Sequence, residues 1–481
     1  MLFNSLDFAL FLPLVFGIYW FVLNRHLKLQ NAFLVVASYI FYGWWDWRFL
    51  SLILFSTLVD YGIGLGLSKT QHHSKRRLLL WTSICINLGL LGFFKYFNFF
   101  IDSFTDAFSF FGMAIQSRSL SIILPVGISF YTFQTLSYTI DVYKNKLAPT
   151  KNFVAFAAFV SFFPQLVAGP IERAKHLLPQ FYSIRSFNYD SATDGLRQIL
   201  WGLFKKIVIA DNCAIYANLI FNNSTEYSGL TLFLGALFFS FQIYGDFSGY
   251  SDIAIGVSRL FGFDLMQNFA FPYFSRDIAE FWRRWHISLS TWFRDYLYIP
   301  LGGSRGSTIN KVRNIFIIFL VSGFWHGANW TFIIWGFLNA CYFLPLMLMG
   351  KNRDNTETIA KGRLLPSIQE VGAMLGTFSL TTIAWVFFRA ENVSHALDYL
   401  FDMITDYQSY LSLGTIFDYN WIILLIILFI VIEWLGRDDK YALEKILSKF
   451  KKPIRYAFYY ALMFSVLWFS GKEVSFIYFQ F

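Results

Sequence analysis

Apolar stretches of about twenty residues, the length that crosses roughly 30 Å of hydrocarbon, recur from one end of this chain to the other. The 481 residues are 56% hydrophobic and 21% aromatic with only 14% charged, more apolar surface than a soluble fold of this length can bury. The chain therefore reads as an all-α, polytopic membrane protein. No extramembrane block is long or mixed enough to be a soluble domain, so residues 1–481 are expected to form a single membrane-embedded domain. Any catalysis must then occur inside the bilayer or at its edge. The net charge of +9 is confined to short loops, where the bias of Lys and Arg toward the cytoplasmic side accounts for it. Membrane lipids, not nucleic acid, are the expected contacts of those cations. Cys85, Cys213 and Cys341 lie far apart in apolar segments without a CxxC and read as unpaired packing residues.

The N-terminal MLFNSLDFALFLPLVFGIYWFVL carries Asp7 where a signal peptide would carry basic residues and has no small-residue cleavage site, so it reads as a retained first span. Residues 31–67 are apolar except for the knot GWWDWR. Trp clusters settle at the headgroup level, so this region is expected to form two spans joined by an interfacial turn. Loop charge sets orientation. Residues 68–77 hold Lys69, Lys75, Arg76 and Arg77 and no acid, whereas residues 102–120 hold Asp102 and Asp106 against Arg118. The first loop is expected in the cytoplasm and the second outside. The alternation continues through residues 389–418, which are acidic, and 436–455, which are basic. It places the terminal FIYFQF outside after ten to twelve crossings.

Two polar inclusions interrupt residues 160–270. FPQLVAGPIER sets Pro164, Gly169 and Pro170 where a helix must break, which at membrane depth is tolerated only inside protein or along a cavity. YGDFSGYSDIAIG sets Asp246 and Asp252 amid apolar residues. Intramembrane acids are functional candidates, with buried structural hydrogen bonding as the competing role.

The densest polar cluster lies between Phe271 and Ala340. If residues 281–296 form one helix, Phe281, Trp282, Trp285, Leu289, Trp292, Phe293 and Tyr296 fall within an arc of about 120°. Arg283, Ser290 and Arg294 take the other side, Arg284 and Asp295 flank it, and His286 sits at the seam. The bland reading is a helix lying at the interface with its arginines on lipid phosphates, but such a helix has no need of a His at its seam. Pro300 ends the helix, and Gly302, Gly303 and Gly306 make a turn around Arg305. LGGSRG lacks the Gly-Lys-Ser/Thr ending of a P-loop.

Lys311 and Arg313 precede the next apolar block, and Lys351 and Arg353 follow it. Both ends are expected in the cytoplasm, so the block must enter and return. A helical segment places His326 about 20 Å in from Arg313. Gly323 and Gly327 at four-residue spacing allow a close helix approach, while Asn329 and Asn339 need polar partners.

At these residues the chain resembles the membrane-bound O-acyltransferases, in particular the bacterial alginate O-acetyltransferase type. EFWRRWHISLSTWFRDYLYIPLGGSRG and SGFWHGANWTFIIWG are similar to that subgroup's two signature blocks, and PQLVAGPIER, QIYGDFSGYSDIAIG, AWVFFRAEN and IYFQF extend the similarity over essentially the whole chain. The resemblance implies a ring of tilted helices around a central tunnel, with re-entrant or amphipathic segments. Acyl donor and hydroxyl acceptor would enter from opposite faces. It makes His326, in the WHG block, the catalytic residue, and His286, in the RRWH block, the second active-site position.

The chemistry agrees. Acyl transfer from a thioester to an alcohol needs no energy source, but the alcohol must lose its proton as it attacks. A neutral imidazole in an apolar tunnel accepts that proton, since desolvation disfavours its charged form. His326 is assigned as general base. His286 is assigned to orient donor or acceptor, or to stabilise charge on the thioester carbonyl. Arg283, Arg284, Arg294 and Arg305 are assigned to the phosphates of coenzyme A, with lipid phosphates as the competing ligand. Asp246, Asp252 and Asn329 are candidate polar residues of the tunnel. No metal and no permanently bound cofactor are implied, acetyl-coenzyme A being a substrate. The resemblance implies a bacterial inner-membrane enzyme that acetylates an exported polysaccharide with an extracytoplasmic partner protein. Peptidoglycan O-acetylation and D-alanyl transfer to teichoic acid are the enzyme alternatives. A transporter or export channel is the alternative of another class, although the internal repeats that would favour it are not apparent.

Overall fold

The computed structural model describes residues 1–481 apart from 111–119, 121, 168, 407–408, 410–413, 472–475 and 478–481. Arg118 of the expected outer loop and the last four residues of FIYFQF lie outside the described residues. Every regular element among the described residues is helical. Among the described residues, five helical stretches are long and apolar enough to cross a membrane: Leu27–Lys69, His73–Ser109, Gly229–Leu260, Trp330–Leu348 and Ile368–Arg389. Leu6–Val22, Phe153–Leu166 and Asn420–Leu435 are shorter apolar helices. The chain divides into two compact units, residues 1–192 with 257–266, and residues 193–256 with 267–481.

In the first unit, Leu6, Leu10 and Leu14 recur every helical turn and are all well exposed, a stripe suited to lipid and not to water. The pair of helices expected over residues 31–67 is present as Leu27–Asp46 and Leu50–Lys69, joined by a 3-10 turn at Trp47–Phe49. Asp46 leaves the helical conformation, and its carboxylate accepts from the Arg48 N–H at 3.0 Å. Trp44, Trp45 and Trp47 remain at least half exposed around this turn. Deeper in the unit Asp60 is fully buried. It accepts from Ser83 Oγ (2.5 Å) and Asn87 Nδ2 (2.8 Å), one turn apart on the helix His73–Leu91, and from Thr139 Oγ1 (2.9 Å) on another helix. A carboxyl taken out of water needs such donors, or its burial costs several kcal/mol.

The second unit contains residues 229–256 of Gly229–Leu260, a 32-residue helix whose apolar window is 89% buried. Protein, not lipid, therefore surrounds it. Close approach of a neighbour demands glycine: a Cβ on Gly249 would lie 2.8 Å from the Gly202 carbonyl oxygen, and one on Gly202 would lie 2.6 Å from that of Gly249.

The predicted return of the block after Arg313 is present as a helical hairpin, Thr308–His326 followed by Trp330–Leu348. Gly323 faces the backbone of Phe332 and Gly336 that of Phe319, each so closely that a Cβ would collide with a carbonyl oxygen. Gly327 instead makes room for the Phe332 ring. Gly323→Val is expected to wedge the hairpin open at a cost of about 1–3 kcal/mol, the range for overpacked cores. The check is a lower thermal midpoint of the detergent-solubilised protein, with Gly372→Val, where a Cβ meets nothing within 4 Å, as the neutral comparison.

Candidate active site

The single helix expected over residues 281–296 is not what forms. Ile278–Arg284 stops, Trp285 and His286 turn, Ile287–Phe293 resumes, and a π-turn covers Arg294–Tyr298. Asp277 starts the first piece by accepting from the Glu280 N–H at 2.7 Å. At the break His286 adopts φ 43° and ψ 54°, the left-handed region, which costs a non-glycine residue on the order of 1–2 kcal/mol. Residues 268–270 compensate: Ala270 N–H donates to the Arg284 carbonyl and Ile287 N–H to the Asn268 carbonyl, both at 2.9 Å. The turn drives Trp285 and His286 inward to 1% exposure each.

His286 packs edge-on against Phe247 at 4.6 Å and lies 6.1 Å from the ring of Trp325. Its Nδ1 is 3.0 Å from Asn268 Oδ1. Burial among these rings pushes its pKa down to about 3, so the imidazole is uncharged at neutral pH.

His326 ends the first hairpin helix and is 4% exposed. Trp325, Trp335 and Phe388 surround it at 4.9, 5.1 and 5.2 Å between ring centroids. Trp325 thus touches both imidazoles. Trp385 joins the same cage, 5.0 Å from Trp285 and 5.7 Å from Trp335. Two histidines about 40 positions apart in sequence are brought to one aromatic pocket by a backbone break and a hairpin tip.

A cavity of about 500 Å³ lies against the hairpin. Its lining includes Lys311, Ile315, Phe319 and Ser322 from the first helix. These recur at four-, four- and three-residue steps and share one face. The next turn of that face carries His326 itself. The stripe runs about 16 Å from Lys311 to Ser322 at 1.5 Å per residue. Arg294 and Arg353 complete a cationic set with Lys311 along the same cavity.

Of the four arginines assigned to donor phosphates, only Arg294 lines this cavity; it also pairs with Asp295 at 2.9 Å. Arg283 donates to the carbonyls of Asn352 and Asn355 at 2.8 and 2.7 Å, strapping the segment after the hairpin. Arg284 and Arg276 flank the buried Glu280 at 2.9 and 3.0 Å. Arg305 is exposed on the glycine turn, where Gly302, Gly303 and Gly306 all take positive φ. Lys311 and Arg353 were legible only as markers of orientation. They are far apart in sequence, and the hairpin alone makes them neighbours.

The remaining polar candidates have structural partners. Asp246 pairs with Lys206 at 2.7 Å and accepts from the Ile477 N–H at 2.7 Å. Asp252 pairs with Lys205 at 2.5 Å and accepts from Gln198 at 2.7 Å. Asn329 caps the second hairpin helix through the Thr331 N–H and donates to the Glu391 carbonyl. Removing one member of a buried ion pair strands the other, so Lys205→Met alone is expected to cost about 3–5 kcal/mol. Lys205→Met with Asp252→Leu should recover most of that loss in thermal unfolding. A double variant no more stable than the single would show that the pair is not the unit.

Residues 39–382 match the model of the membrane-bound O-acyltransferase family. The chain is 44% identical over 400 residues to the probable alginate O-acetylase AlgI of Pseudomonas aeruginosa, covering 82% of this chain and 73% of that protein. It is 38% identical over 434 residues to the peptidoglycan O-acetyltransferase of Helicobacter pylori, covering 84% and 80%. A teichoic acid D-alanyltransferase of Streptococcus thermophilus is 34% identical over 238 residues, covering 44% and 54%.

Proposed function

We propose, for a chain that belongs to the membrane-bound O-acyltransferase family, that it carries acetyl groups from cytoplasmic acetyl-coenzyme A toward the hydroxyls of an exported, alginate-like polysaccharide. That the chain is a membrane-bound O-acyltransferase is the premise; donor, acceptor and residue roles are the proposal. The observation that carries it is a cavity whose lining on the first hairpin helix runs from Lys311 to Ser322, one helical turn short of His326. A thioester donor has that shape: anionic phosphates at one end and a reactive carbonyl at the tip of a long arm.

In this reading Arg294, Lys311 and Arg353 hold the phosphates of the donor, and the pantetheine arm lies along the apolar stripe. His326 takes the proton of the attacking hydroxyl as its oxygen bonds to the thioester carbon. The C–S bond breaks, and the proton passes to the departing sulfur, leaving ester and thiol. The aromatic cage keeps water from competing for the acyl group. The whole of residues 1–481 serves this one activity, as ten to twelve crossings around a tunnel in a bacterial inner membrane, with an extracytoplasmic protein completing the transfer.

Peptidoglycan as acceptor is the second reading, favoured by the Helicobacter pylori relative, whose match spans as much of the chain as the alginate O-acetylase does. D-alanyl transfer has weaker support, its relative matching under half of the chain.

His326→Ala should leave expression and membrane insertion intact and abolish acetylation; retained acetylation overturns the assignment. Lys311→Ala and Arg353→Ala should each raise KM for acetyl-coenzyme A roughly tenfold or more, the worth of one charge-assisted contact, while kcat changes little. Radiolabelled acetyl-coenzyme A given to membranes separates the acceptors. Label reaching neither a polymer nor a partner protein would favour the transporter.

A further inference from the structure

His286 offers two nitrogens, and its surroundings decide which of them carries the hydrogen. Nδ1 faces Asn268 Oδ1 at 3.0 Å, with Ser288 Oγ farther away at 3.5 Å. The orientation of the Asn268 amide is settled by its other partners. The backbone N–H of Ser288, which only donates, points at Oδ1 from 3.3 Å, and Ser288 Oγ donates to the same atom from 2.9 Å. At the opposite end Asn268 Nδ2 donates to Ser251 Oγ at 3.0 Å. The atom facing the histidine is therefore the amide oxygen, which accepts and never donates. Nδ1 must carry the hydrogen. In the uncharged ring Nε2 then holds a bare lone pair, and it has no hydrogen-bond partner among the described residues. A buried acceptor left without a donor is uncommon in folded proteins and asks for a missing partner.

We propose that Asn268 is a positioning residue that locks His286 in the Nδ1–H form, so that Nε2 is held ready to accept a hydrogen bond from a substrate O–H or N–H. This rests on the acyl-transfer reading and narrows it. A neutral ring with a bare Nε2 has no hydrogen to give an oxyanion, so charge stabilisation on the thioester carbonyl falls away as a role for His286. What remains is orientation, of the acceptor's hydroxyl or of an amide N–H on the donor's arm. Phe247, Phe269, Trp325, Asn268 and Ser288 are the groups against the ring, and none of them is charged or titrates near neutrality.

The tautomer can be read without activity. In membranes holding 15N-histidine-labelled protein, the difference between wild type and His286→Gln isolates this residue by solid-state NMR. A protonated Nδ1 with an unprotonated Nε2 is expected, reverting in Asn268→Ser to the Nε2–H form that prevails in water. Nε2–H in the wild type overturns the proposal. Kinetics supply the functional half. Asn268→Ser should lower kcat/KM roughly 10–100-fold, the range for partners that orient a working imidazole. Whether KM rises for the donor or for the acceptor then identifies which substrate meets Nε2. The isosteric Asn268→Asp places a carboxylate beside Nδ1–H, favours the protonated ring, and should raise by about one pH unit or more the pH at which the His286 15N signals show both nitrogens protonated. An unmoved ring titration overturns the positioning role. Wild-type membranes that transfer no acetyl group at all would instead remove the acyl-transfer reading, while the NMR result would still decide the tautomer.

Discussion

A polar group buried in this chain has neither water nor headgroup to bond, and the organisation of both units follows from that shortage. Several buried charges are met from more than one direction: Asp60 by three donors, Glu280 by two guanidinium groups, Lys206 by two carboxylates. Such pairs contribute little net stability relative to apolar replacements, yet leaving one half unmet is costly. They therefore specify which helices may neighbour which. His286 Nε2 is among the buried polar atoms with no hydrogen-bond partner among the described residues, and in the proposed reading a substrate atom meets it.

The hairpin turns helix length into a separation of tasks. Its open end carries Lys311 and Arg353, and its closed end carries His326. In the proposed reading, phosphate recognition and proton transfer are thereby held several helical turns apart on one helix face. Gly323 and Gly336 bring the two helices close enough that this face has no gap behind it.

The break at His286 shows why the aromatic and basic pattern over residues 281–296 misleads when read as one helix. The spacing of Phe281, Trp285 and Leu289 satisfies a helical period, and nothing local forbids its continuation. The turn is imposed by residues 268–270, which supply backbone partners on one side of the break, and by Asn268, which holds the imidazole on the other. A left-handed histidine gains no support from its own sequence. Only an element placed beside it by tertiary folding makes that conformation the better one.

Hydropathy and charge are additive along a chain, so they were sufficient by themselves to indicate membrane residence, all-helical structure, the turn at GWWDWR and the out-and-back path after Arg313. Signature blocks added the chemistry. Choice of partner is different in kind, because it depends on which helices meet. Asp246 and Asp252 read from sequence as candidate tunnel residues, and only the fold supplies Lys206 and Lys205 as their partners. Arg283, Arg284 and Arg305 read from sequence as candidate phosphate ligands, and only the fold shows the first two bonded to carbonyls and Glu280 and the third on an exposed turn. Lys311, Arg353 and Asn268 acquire their places only in three dimensions, since a buried side chain is defined by neighbours that may lie hundreds of residues away and that no local pattern encodes.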